Sequence, residues 1–187
     1  MTHLAQQDFT QDLFKLLKET FEEGGSFYLE KGAGLFRTLD TITSEVASRE
    51  PLPGTPSIAA HCAHLDYYLR VNHNAIIGRE QEVDWPSSWR VHRVGVGEWE
   101  VLKGNLRIGY DDLKTSLNSL PVWENDSVCD SIAIVAHTAY HLSAIRQIRR
   151  LLDAESSQRT SAPDGERRAS SQEKRVQAKG RPTRTSG

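Results

Sequence analysis

Residues 131–148 read Ser131-Ile132-Ala133-Ile134-Val135-Ala136-His137-Thr138-Ala139-Tyr140-His141-Leu142-Ser143-Ala144-Ile145-Arg146-Gln147-Ile148. Within this stretch the row Ile134, His137, His141, Ile145, Ile148 steps by 3, 4, 4 and 3. That is the period of one face of an α-helix. The row is apolar apart from its two imidazoles, and no charged residue lies along it. An exposed histidine pair would have charged neighbours on its row, so this face is expected to pack inward. Each imidazole then needs a hydrogen bond or a metal, because a buried polar group left unpaired is costly. At i, i+4 the two rings share a face, with Cβ atoms roughly 5–6 Å apart.

Upstream, three more segments carry the same period. The first runs from about Thr10 to Glu23, with Leu13, Phe14, Leu16, Leu17 and Phe21 on one side, and Gly24-Gly25 stops it. A short apolar piece, Gly34 to Ile42, and a proline-rich loop, Arg49 to Pro56, follow. The second main helix starts beyond them, capped by Thr55 or Ser57, and fades near Gly78. A long connection holding Trp85, Pro86 and Trp89 leads to the third, from about Glu98 to Leu120, with Trp99, Leu102, Leu106, Tyr110, Leu113 and Leu117 at helical spacing. Pro121 ends it. The fourth starts after Asn125 or Asp126 and is expected to end near Asp153. No convincing strand alternation appears. The expectation is an all-α fold, a four-helix bundle with one long crossover between the second and third helices.

Composition sets the limits. The chain has 187 residues, enough for one domain and a tail. From Ala154 to Gly187 there is one aliphatic β-branched residue, Val176, and no aromatic. Such a segment buries too little apolar surface to offset its ordering entropy, so it is expected to be disordered. It holds eight basic and four acidic residues, which splits the chain's formal charge of -2 into +4 on the tail and -6 on the body. Without aromatics for stacking, a solvated tail is favoured over a nucleic-acid arm. The longest unbroken apolar runs are too short to span a bilayer, and the N-terminus shows no export signal. Two cysteines make no disulfide framework. The expected setting is cytoplasmic, with no membrane partner.

The second helix brings its own pair, His61 and His64, at i, i+3 among Ile58, Ala60, Leu65, Tyr68 and Val71. Two imidazoles from one helix and one from the other would make a three-histidine site, suited to zinc, nickel, iron or copper. Three neutral ligands leave the ion's full charge to acidify a bound water or thiol. An H-x3-H pair alone is weak evidence, since helical histidines are more often satisfied core or surface groups. The Glu-x-x-His motif of di-iron bundles is absent: Ile58, His61, Ile134 and Thr138 occupy the relevant positions. No phosphate-binding loop, nucleophile elbow or dinucleotide fingerprint is present.

The run Ser57-Ile58-Ala59-Ala60-His61-Cys62-Ala63-His64 resembles the helix-two signature of the DinB/YfiT-like metalloenzyme superfamily. His137 to His141 with Leu142-Ser143-Ala144-Ile145-Arg146-Gln147 resembles the helix-four signature, and the tryptophan-bearing crossover and third helix are similar too. The resemblance covers roughly residues 8–153 and implies an up-down-down-up bundle, often a homodimer. It implies a divalent ion, zinc, nickel, iron or manganese, held by His64, His137 and His141. His61 matches no family ligand and reads as a core group or as support for a ligand. Ser143 stands where the family often has glycine, which puts the local packing in question. Members of the family include transferases that use low-molecular-weight thiols, so a small thiol or electrophile is the implied partner.

Three readings stay open: a metal-dependent transferase, a non-catalytic helical binding or stress-associated module with a structural or vestigial metal, and a metal-free bundle whose helix histidines are satisfied core groups. Cys62 and Cys129 are expected to be small core residues. Trp85, Trp89, Trp99 and Trp123 are expected to pin the crossover rather than line a pocket. Tyr68 and Tyr140 are expected to pack, and Arg146 either binds an anion or snorkels. His3, His73 and His92 carry no assignment, and no residue is singled out as a general base.

Overall fold

The computed structural model describes residues 6–123 and 125–161. Among these residues there are six α-helices and no strand, so the fold is all-α. The helices are α1 (Gln6–Phe21), α2 (Leu35–Leu39), α3 (Ser44–Ala47), α4 (Ile58–Ile76), α5 (Val96–Asn118) and α6 (Asn125–Ser161). A 3₁₀ turn, Trp85–Trp89, interrupts the connection from α4 to α5. The chain divides into two units at Arg150/Leu151.

The long helices α1, α4, α5 and α6 fall on the segments whose periodicity predicts them. Leu13, Leu17 and Phe21 of α1 are buried, as are Trp99, Leu106, Tyr110, Leu113 and Leu117 of α5. Phe21 stacks on Tyr110 at 4.5 Å between ring centroids, and Phe36 of α2 meets the same ring edge-on. Helices α4 and α5 pack closely along their length. Gly109 of α5 lies against Leu69 of α4: a Cβ there would touch the Leu69 side chain at 3.4 Å, an ordinary contact distance. Gly24 and Gly25, at φ of +68° and +99°, turn the chain after α1.

The cap of α4 is Ser57 rather than Thr55. Its hydroxyl oxygen accepts from the Ala60 N–H and donates to the His92 carbonyl, at 3.2 and 2.7 Å. One side chain thus starts the helix and ties down the crossover. Ser48, just after α3, exchanges two hydrogen bonds with Val94. The buried Trp99 indole donates to the Ile42 carbonyl at 2.8 Å.

Two expectations need correction. Helix α6 does not stop near Asp153 but continues to Ser161. Adding a residue to an existing helix costs little, and residues 154–161 contain no glycine or proline to break it. Ser156 and Ser157 donate to the Leu152 and Asp153 carbonyls along the way. The expected disorder of 162–187 lies outside the described residues. Cys129 is exposed, not a core residue, whereas Cys62 is buried. Cys129 is five residues before Ile134, about 140° round the helix from the inward row.

By length and composition alone, Asp126–Gln158 holds an 18-residue stretch apolar enough to cross a membrane, with a mean hydropathy of 1.2. The buried part of that segment includes Ile134, His141, Leu142, Ile145 and Ile148, and 33% of its apolar stretch is buried within the chain.

Candidate metal centre

The row read from α6 does face inward. Ile134 and Ile145 are fully buried, Ile148 and His141 nearly so, and His137 is half-buried. Opposite them α4 presents His61 and His64, both buried. Each of His64, His137 and His141 offers a ring nitrogen within 4.8 Å of the other two. Among the described residues this is the one such group of potential ligands.

His64 Nε2 lies 3.1 Å from His137 Nε2. Two imidazole nitrogens on one tetrahedral zinc, at ~2.0–2.1 Å from the ion, would be about 3.3 Å apart. The donor set is chemically apt as well, with three neutral imidazoles and no competing carboxylate among them. The His64–His137 spacing and the donor set thus suit a small divalent ion.

Burial holds all four imidazoles uncharged. It lowers the pKa of His61 and of His137. It takes His64 down to about 4, with the charges of His137 and His61 adding to the effect. It takes His141 to about 3, again with smaller contributions from His137, His61 and His64. At neutral pH each ring therefore carries one N–H and one lone pair, the state a metal ligand requires.

The surroundings fix the rings in place. Trp89 stacks on His64 at 4.2 Å and 17°, and Tyr68 stacks on His137 at 3.9 Å and 22°. Burial raises the Tyr68 pKa, which keeps its phenol neutral. His141 Nδ1 lies 2.9 Å from His61 Nδ1, so His61 touches the group through His141. His64 Nδ1 lies 2.7 Å from the Ser88 hydroxyl. Tyr140 is exposed and meets only the edge of His141, and Arg146 donates to Glu30 at 3.0 Å. His73 pairs with Ser116 at 2.8 Å, on the α5 side of α4.

The 3₁₀ turn is the part of the site that periodicity missed. Asp84 caps it, Pro86 sits in its first turn, and the Asp84 N–H donates to Tyr67 of α4 at 2.8 Å. The Asp84-Trp85-Pro86 start was a readable signal. Its consequence, placing Ser88 and Trp89 on His64, was not readable.

No family model matches this chain, and no curated protein or solved structure matches it.

Proposed function

We propose that this chain is a metalloprotein of the DinB/YfiT-like type, a four-helix bundle formed by α1, α4, α5 and α6. In this reading His64, His137 and His141 hold one divalent ion. The observation that carries the reading is the convergence of three uncharged imidazoles from two helices within 4.8 Å. The resemblance of the α4 and α6 signatures supports it.

The proposed activity is transfer to a small thiol. When bound, the ion would supply Lewis acidity, lowering the pKa of a coordinated thiol or water. The chain's own residues do the rest. Trp89 and Tyr68 cover one face each of the His64 and His137 rings, and Trp85 lies 6.3 Å from the His64 ring centroid. In the transfer a sulfur–carbon bond forms, the carbon–leaving-group bond breaks, the leaving group departs with the electron pair, and the thiol proton goes to solvent.

A second reading has an observation of its own. The 3.1 Å contact between His64 and His137 is also a good hydrogen bond, as is the 2.9 Å contact between His61 and His141. All four imidazoles are thereby paired without an ion, as in a metal-free core. An assay separates the readings. Protein reconstituted with one equivalent of zinc is given a low-molecular-weight thiol and a chromogenic aryl halide. Metal-dependent thioether formation, lost on chelation, supports the transferase. Tight zinc binding without turnover leaves the binding module, and no zinc binding leaves the metal-free core.

A further inference from the structure

Ser88 Oγ makes two short contacts, 2.6 Å to the Trp85 carbonyl oxygen and 2.7 Å to His64 Nδ1. A carbonyl oxygen can only accept, and two oxygens 2.6 Å apart need a hydrogen between them. A serine hydroxyl has one hydrogen, and the Trp85 carbonyl takes it. Ser88 must therefore accept from His64, whose Nδ1 carries the hydrogen. A neutral imidazole with Nδ1–H has its lone pair on Nε2. Nε2 is the nitrogen that faces His137.

From this chain we infer that Ser88 is a positioning residue: it sets the His64 tautomer and so presents Nε2 as the ligand atom. Without an ion, the His64–His137 hydrogen bond then has His137 as its donor. Ser88 is itself buried, and the 3₁₀ turn that carries it is anchored through Asp84 to Tyr67. Trp89 of the same turn stacks on the His64 ring. One five-residue turn thus fixes both the plane and the proton of this imidazole. The consequence for affinity rests on the proposed metal site; the tautomer does not.

The test is imidazole ¹⁵N NMR on the metal-free full chain near neutral pH, with zinc affinity measured alongside. In the wild type His64 is expected as the Nδ1–H form. In Ser88→Ala that population is expected to move toward Nε2–H, with zinc affinity falling by about 10–100-fold. Ser88→Thr keeps the hydroxyl and is expected to restore the wild-type signature. A wild-type His64 found as Nε2–H overturns the inference, as does a folded Ser88→Ala protein with an unchanged tautomer. If the wild type binds no zinc, the metal reading fails, and the NMR result still decides the role of Ser88.

Discussion

His64 Nε2 and His137 Nε2 lie 3.1 Å apart, though 73 residues separate them in the chain. Each sits on a different helix, and neither ring is charged at neutral pH. A contact of this kind between two neutral imidazoles is either a hydrogen bond or two corners of a metal site, and variants distinguish the two.

Replacing a ligand should differ from replacing its support. His64→Phe is expected to abolish stoichiometric zinc binding. His61→Phe, which removes only the partner of His141, is expected to weaken binding by about 10-fold and leave the stoichiometry intact. Competition against a chromogenic chelator gives both numbers. Equal losses in the two variants would place His61 among the ligands.

The histidine cluster predicts acid lability. The folded pKa values of His64 and His141, about 4 and about 3, lie below the ordinary 6.5. The unfolded chain therefore binds more protons below pH 6.5, and stability rises with pH through that window. The contribution is fully present above about 6.5 and is lost progressively toward 3. Unfolding free energies from urea titrations at pH 7.5, 6, 5 and 4 should fall, by up to about 1.4 kcal/mol per pH unit for each proton taken up. His141→Phe should flatten this slope. A slope unchanged in that variant would contradict the assignment.

Glu19 predicts a second, separate effect. Its buried carboxylate accepts from four successive backbone N–H groups, those of Ser26, Phe27, Tyr28 and Leu29, at 2.8–3.0 Å. Burial pushes its pKa up, but these donors together outweigh burial and bring it to about 2. Glu19→Gln keeps the shape but removes the charge and turns one acceptor into a donor. The expected cost is on the order of 2–3 kcal/mol, readable in urea unfolding, with the loop after α1 losing amide-exchange protection first. A cost below about 0.5 kcal/mol would show the loop to be held by other contacts.

Ser57→Ala should cost about 1–2 kcal/mol, because one hydroxyl both caps α4 and satisfies the His92 carbonyl. Gly34→Ala should also destabilise, by about 1–3 kcal/mol, since its Cβ would sit 2.7 Å from the Glu22 carbonyl group. Thermal unfolding measures both. A neutral Gly34→Ala would mean that α2 can shift away from α1 at little cost.

The long helices were legible because each carries an apolar row at one period. The inward turn of His137 and His141 was legible for the same reason: their row holds no charge. His64 was harder. Spacing alone left His61 and His64 equivalent, and only the resemblance chose between them. In the structure their difference is one of reach: His64 meets His137 directly, whereas His61 reaches the group through His141. Helix α3 and the 3₁₀ turn are four and five residues long, too short to show a period. The Glu19 arrangement had no signal, because its partners are backbone N–H groups that carry no residue identity. The run of α6 past Asp153 was not legible, because a polar composition does not by itself end a helix and residues 154–161 hold no glycine or proline to break it.

The central claim is that His64, His137 and His141 hold a metal ion. The most direct test is metal content per chain, by mass spectrometry, of protein purified without a histidine tag, beside a His137→Ala/His141→Ala double variant. About one equivalent of a divalent first-row ion in the wild type, lost in the variant, is the predicted result. Negligible metal in both, even after reconstitution, would contradict it and leave the imidazoles as a hydrogen-bonded core.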